Sequence, residues 1–97
     1  MNFRFHPEAK AEFDAAIDFY ESRQHGLGAE FSKVVYESIQ MILEYPDSWT
    51  LIYGEYRRCL VRKFPYGVIY YKDGAAINIV AIMQLNREPG YWKGRTR

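Results

Sequence analysis

The sequence predicts an α+β domain in which a short N-terminal strand and a helical hairpin pack on one face of a mostly antiparallel sheet. The expected order is β-α-α-β-β-β, followed by a tail. Three observations carry this prediction. Apolar residues recur at spacings of three and four through the first half, then at a spacing of two from Leu51 onward. Gly26 and Gly28 separate two helix-length stretches. Asp73-Gly74 joins two strand-like runs, a strong two-residue hairpin signal. Residues 1–97 are expected to form one domain, large enough to bury about 60–65% of the unfolded surface.

Residues 2–5 alternate polar and aromatic side chains, so Phe3 and Phe5 share the core-facing side of a short strand. Pro7 suits the first turn of the next helix, where its missing N–H leaves no bond unmade. Over residues 8–24, Ala9, Phe13, Ile17 and Tyr20 form an apolar stripe, and acidic residues fill the other faces. A second helix begins near Gly28 or Ala29, with Phe31, Val34, Val35, Ser38, Ile42 and Tyr45 at helical spacing. Pro46, helped by Asp47-Ser48, stops it. The short glycine-bearing connection favours antiparallel neighbours. Residues 56–64 read as one strand, with Arg58, Leu60 and Arg62 on one face and Cys59 and Val61 on the other. Pro65-Tyr66-Gly67 makes a turn or bulge, and residues 68–72 form the next strand. Residues 75–85 are apolar on both faces, as expected of a central strand covered by helices on one side. Pro89-Gly90 ends the regular sheet and leaves an aromatic, basic tail.

Composition narrows the chemistry. Apolar content of 48% and charged content of 26% are those of an ordinary globular protein. Cys59 is the single cysteine, which excludes an intramolecular disulfide and a cysteine metal cluster. No His/Cys/Asp/Glu set has metal-ligand spacing, and no Gly-rich phosphate loop is present, so no metal or cofactor is expected. The start lacks the apolar run of a signal peptide, and no stretch is apolar enough to span a membrane. A cytoplasmic protein is expected. The net charge of +1 hides a division. Residues 1–49 carry four Lys or Arg against nine carboxylates, a net of −5, and residues 50–97 carry nine against three, a net of +6. Such a basic second half is expected to meet an anionic partner. Glu8 with Glu12, and Asp14 with Asp18, stand four apart on a helix and read as a solvated face. His6 and His25 read as a pre-helix and a loop residue. Arg58 and Arg62, about 13 Å apart on one strand face, have the span of successive phosphates along a strand. Lys63 adds charge, Arg87 is placed to join them, and Tyr91 and Trp92 offer rings for base stacking.

At these residues the chain resembles the toxins of the RelE/ParE superfamily from bacterial type II toxin–antitoxin modules, of the plasmid-stabilisation type. Arg58-Cys59-Leu60-Val61-Arg62-Lys63-Phe64-Pro65-Tyr66-Gly67-Val68-Ile69-Tyr70 is similar to the family's arginine-rich strand and the tyrosine-bearing strand after it. Ile79-Val80-Ala81-Ile82-Met83-Gln84-Leu85-Asn86-Arg87-Glu88-Pro89-Gly90-Tyr91-Trp92 is similar to its last strand and tail. Pro7-Glu8-Ala9 leading into Phe13 and Ile17 fits its helical opening.

The resemblance implies a compact α+β toxin neutralised by a small antitoxin whose segment wraps its apolar and basic surface, and an acidic or amphipathic segment lying along the sheet and helices is expected to mask Arg58, Arg62 and the tail. It also implies one of two targets. RelE-type members cleave mRNA on the ribosome with arginine, lysine, tyrosine and in some cases histidine, whereas ParE-type members poison DNA gyrase without a nuclease reaction. Arg58, Arg62, Arg87 and Tyr91 match the nuclease set. Gly67 stands where RelE-type proteins commonly have an arginine, Leu60 where they have a lysine, and Gln84 where close relatives often have a histidine. Gln exchanges no proton near neutral pH, and arginine stays protonated. The departures favour gyrase binding through Arg58, Arg62, Lys63, Arg87, Tyr91 and Trp92. An mRNA interferase is the alternative, and a non-toxic RNA- or protein-binding relative the third.

Overall fold

Two helices lie on one face of a five-stranded sheet in the computed structural model, which describes residues 2–95. The elements run β1 (Asn2–Phe5), α1 (Pro7–Arg23), α2 (Leu27–Glu44), β2 (Thr50–Tyr53), β3 (Tyr56–Leu60), β4 (Tyr66–Asp73) and β5 (Ala76–Gln84). The strand order is β1-β5-β4-β3-β2. β1 runs parallel to β5, because the helical hairpin carries the chain back over the sheet before the meander begins. The other pairings are antiparallel. The α+β expectation holds, with one more strand than the predicted order. β2 is that extra edge strand, and Gly54 at φ 55 opens its two-residue connection to β3. A Gly-X pair between strands is a hairpin signal of its own, overlooked in the prediction. The second hairpin forms as expected, although Asp73 pairs with Ala76 and the turn residues are therefore Gly74 and Ala75.

α1 starts where His6 accepts the Glu8 N–H through Nδ1 at 3.1 Å and Pro7 takes the first helical position. The hairpin between the helices is held by one carboxylate. Glu21 accepts from the Gly26 N–H at 3.0 Å and from the Gly28 N–H at 3.0 Å, satisfying donors that open α2. These bonds, the Gly26 one first and then that of Gly28, hold its carboxyl below the ordinary range, with His25 adding to the effect. A depressed folded-state value stabilises the protein above the unfolded pKa of about 4.3, and the gain is lost as pH falls through the lower folded value. The melting-temperature gap between wild type and Glu21→Gln is therefore expected to be largest near neutral pH and to close in the acid range. A gap independent of pH would contradict this role for the carboxylate.

Gly28 sits where the helices touch. A Cβ there would lie 2.6 Å from the Ile17 carbonyl oxygen, a backbone atom with little room to yield. Gly28→Ala is expected to cost about 2 kcal/mol by overpacking and to lower the melting temperature by roughly 8–16 °C, as read by circular dichroism.

The sheet is apolar on both faces, and each face has its own cover. Toward the helices, Phe13, Phe31, Val35, Ile39, Val68, Tyr70, Ile77 and Ile79 are fully or almost fully buried. Burial pushes the Tyr70 phenol up to about 12, and its hydroxyl donates to the Pro46 carbonyl at 2.7 Å, tying β4 to the end of α2. On the opposite face Ile69, Val80, Ala81, Met83 and Trp92 form a second cluster. The β4–β5 register shifts between Ile69 and Tyr70, where Ile69 faces Ala81 and Tyr70 faces Ile79. Val80 is the extra residue, so Val80 and Ala81 both join the second cluster while Ile79 and Ile82 keep the first. The tail returns across this second face. The apolar character of residues 75–85 on both sides thus reflects helices on one face and tail on the other.

Candidate functional site

Arg58 projects from the sheet face opposite the helices, beside Ile69 of β4. Its aliphatic stem lies over Gly67, where a Cβ would come within 3.0 Å of the Arg58 Cγ. The missing side chain at position 67 is thus the floor on which Arg58 rests. An arginine at that position would displace the stem. Ile52 and Tyr53 of β2 wall the site on one side, Met83 lies beneath, and the tail supplies Pro89, Gly90, Trp92 and Lys93. Together they enclose a cleft of about 170 Å³. Its polar groups are donors. The Arg58 Nε and the Trp92 Nε1 are buried without a hydrogen-bond partner. The Lys93 ammonium sits 3.8 Å from the centre of the Tyr53 ring, a cation–π contact. No carboxylate lines the cleft, so its unmet demand is for an acceptor.

The tail is anchored by a carboxylate of α1. Glu12 Oε1 accepts the Ile82 backbone N–H at 3.0 Å, just beyond the point where β1 stops pairing with β5. Its Oε2 lies 3.0 Å from the Arg95 Nη2 and 3.5 Å from the Arg87 Nη1. Arg95 also reaches Glu8 at 3.3 Å and donates to the Val80 carbonyl at 2.9 Å. Tyr91 lies among these cations, with the Arg87 guanidinium 3.7 Å and the Arg95 guanidinium 5.0 Å from its ring centre. Burial first, and the Glu12 carboxylate second, raise the Tyr91 phenol above its ordinary range. Glu12 therefore does not belong to a solvated face. Its side chain is 15% exposed and joins strand, helix and tail.

Several predicted contacts fall elsewhere. β3 ends at Leu60, where the Val61 N–H turns to the Tyr66 carbonyl at 2.9 Å. Arg62 consequently leaves the sheet face it would have shared with Arg58 and pairs with Glu37 of α2 at 3.0 Å. Lys63, at φ 74, pairs with Glu30 of the same helix. Trp92 is 2% exposed and packs on Ile69, Val80 and Met83, so its ring offers no open face for a base. Tyr91 is half-buried with cations over its ring. The divided charge has an internal explanation as well. Glu8 and Glu12 meet Arg95, Glu12 meets Arg87, Glu30 meets Lys63, Glu37 meets Arg62, and Asp47 meets Lys72 at 3.0 Å. Among the described basic residues of the second half, Arg57, Arg58 and Lys93 have no acid partner, and Arg57 donates instead to the Trp49 carbonyl at 2.7 Å. Sequence reasoning missed Glu12 as a site residue, and it read Gly67 only as a position without the family's arginine, not as the floor under Arg58. A lone acid amid other acids and a lone glycine in a strand carry no signal until their neighbours are known.

No three His, Cys, Asp or Glu side chains gather among the described residues. No helix among them is long and apolar enough to cross a membrane. A helical hairpin covers one face of the sheet, an arginine cleft and a returning tail lie on the other, and the family match places this arrangement among the toxins of the RelE/ParE superfamily. Residues 3–89 match the family model described as the ParE toxin of the type II toxin–antitoxin system parDE, and the chain belongs to that family. Its fold is similar to a chain in the structure titled the chromosomal ParDE TA system from P. aeruginosa. The TM-score is 0.75 and the identity 16%, over 89% of this chain and 97% of that one. No curated protein matches the sequence significantly.

Proposed function

We propose that this chain is a cytoplasmic, single-domain toxin that inhibits DNA gyrase by binding it, and that a small cognate antitoxin neutralises it. The observation that carries the reading is the separation of the nuclease candidates. Arg58 faces its own cleft, Arg62 is paired on α2, and Arg87 and Tyr91 are bound up with Glu12. General acid–base cleavage needs a group that takes up and releases a proton near the working pH. The raised Tyr91 phenol moves away from that requirement, and Arg58 stays protonated. A donor-lined cleft with apolar walls suits recognition of an acidic protein surface. In a supercoiling assay the purified toxin is expected to inhibit gyrase, and full supercoiling at saturating toxin would overturn the reading. Codon-positioned cleavage of message in a translating extract, lost on Arg87→Ala, would establish the competing mRNA interferase. Healthy growth on overexpression without antitoxin would point to a non-toxic relative.

The antitoxin is expected to anchor mainly through apolar contacts. A groove of about 630 Å³ runs between α2 and the end of β3, lined by Val34, Ser38, Met41, Leu60 and Val61 with Glu37 and Arg62 among its polar members. Met41 is 41% and Leu60 55% exposed, and side by side in the groove they present apolar surface to a partner. Because most basic residues of the second half already have internal acids, the complex is expected to survive about 1 M salt, where exposed charges are screened within roughly 3 Å. Dissociation at that salt concentration, followed by gel filtration, would instead mark an electrostatic interface.

A further inference from the structure

A second donor-rich pocket lies at the opposite end of the same sheet face. It is built from a row of residues paired across three strands. Arg4 of β1 faces Asn78 of β5, and Asn78 faces Tyr71 of β4. Phe5, His6, Pro7, Ile79 and Val80 complete a cavity of about 190 Å³. We propose that this pocket binds a carboxylate carried on a short apolar or aromatic stem. The proposal goes beyond gyrase inhibition and does not depend on it.

The inventory of polar groups supports this class of ligand. Arg4 donates through Nε to the Asn78 Oδ1 at 2.6 Å. That bond fixes the guanidinium plane and leaves its two Nη groups, the edge that matches a carboxylate in a bidentate fork. No carboxylate of the described residues lies within ion-pair distance of Arg4. Asn78 is 5% exposed, yet its Nδ2 is buried without a hydrogen-bond partner. A buried amide N–H left unpaired is costly and rare in folded proteins. His6 accepts the Glu8 N–H at Nδ1, so its own ring N–H is on Nε2, another donor. The N-terminal end of α1, with its positive dipole, begins at Pro7 on the pocket wall. Against these donors the side chains lining the pocket present no acid.

A carboxylate fits better than a phosphate. Only one guanidinium lines the pocket, and Arg95, near the rim at the Val80 carbonyl, already has Glu8 and Glu12. One cation balances a monoanion, and Pro7, Val80 and the Tyr71 ring supply the apolar wall that a hydrocarbon stem would cover. The same chemistry has two sources: a free small organic acid, or a carboxylate borne by a polypeptide.

The test is a titration of the isotopically labelled toxin with benzoate, followed through the side-chain N–H signals of Asn78 and Arg4. Benzoate is expected to shift both saturably, and the isosteric neutral benzamide to shift neither. Arg4→Gln is expected to weaken binding at least about tenfold by removing a charge-assisted pair. Asn78→Asp gives Arg4 an internal carboxylate and is expected to abolish benzoate binding without lowering the melting temperature. This second variant keeps the test decisive if Arg4→Gln folds poorly. Equal shifts with benzamide, tighter binding of inorganic phosphate, or undiminished benzoate binding in Asn78→Asp would overturn the proposal. A tetrapeptide with a free C-terminal carboxylate, compared with its amide, separates the sources. Tighter binding of the free-carboxylate peptide than of benzoate assigns the site to a polypeptide, and the reverse order assigns it to a small acid.

Discussion

Arg58→Ala is expected to weaken gyrase inhibition at least about tenfold while changing the melting temperature by no more than a few degrees. The functional loss follows from the place of the guanidinium. It is a cation without an acid in a cleft walled by Ile52, Tyr53, Met83 and Trp92, and desolvated arginines in such settings dominate binding energy. The small structural effect follows from the same geometry. The Arg58 Nε has no partner to lose, and truncation leaves the Gly67 backbone and its strand pairing in place. Arg62→Ala is the control. Its pair with Glu37 is half exposed, so its removal is expected to alter stability by less than about 1 kcal/mol and to leave inhibition near wild type. Equal loss in both variants would mean that the two arginines act as one surface, against the separation seen in the fold. Retention of inhibition in Arg58→Ala would remove the cleft from the target interface.

The largest loss of stability is expected from Glu12→Ala. One substitution leaves the Ile82 N–H without its acceptor and strips Arg95, whose side chain is 11% exposed, of its closest carboxylate. Breaking a largely buried pair by removing one partner costs about 3–5 kcal/mol, so the melting temperature is expected to fall by roughly 12–40 °C. Arg95→Ala should remove much of the same interaction. In a double-mutant cycle the two changes are therefore expected to be non-additive by about 1–3 kcal/mol. Glu12→Gln, which keeps an acceptor for Ile82 but not the charge, is expected to fall between wild type and Glu12→Ala. A loss below about 0.5 kcal/mol in Glu12→Ala, measured by urea unfolding, would show that the tail stays docked through Trp92 and the Val80 carbonyl alone.

Much of the architecture is legible without coordinates because it is encoded at short range. The stripe Ala9, Phe13, Ile17, Tyr20 and the stripe Phe31, Val34, Val35, Ile42 each need only a helical period to declare a buried face. All but Ile17 and Tyr20, which pack at the edge, are buried in the helix-side core; of the other positions expected in the second stripe, Ser38 is buried, but Tyr45 falls just past the end of α2 and is 58% exposed. Gly26 and Asp73-Gly74 mark turns through backbone conformations that other residues adopt reluctantly. The end of β3 was less legible. Arg62 continues the alternation of Arg58 and Leu60, so period alone extends the strand. What ends it is the Val61 to Tyr66 hydrogen bond and the pull of Glu30 and Glu37, residues far away in sequence.

The candidate site divides in the same way. By itself the sequence determined the fold class, the two glycine-bearing turns, the family resemblance and the identity of Arg58 as a residue to watch. All of these rest on spacing and residue type. Only the tertiary structure decided which cations remain available. It placed Arg62 and Lys63 against α2, joined Arg87 and Arg95 to Glu12, buried Trp92 as the cover of the second sheet face, and left Arg58 resting on Gly67. The physical reason is that a charge is free or paired according to what lies within a few ångströms of it in space. Partners separated by about twenty-five to over eighty residues, as Glu37 is from Arg62 and Glu12 from Arg95, meet only when the sheet and its two covers are assembled.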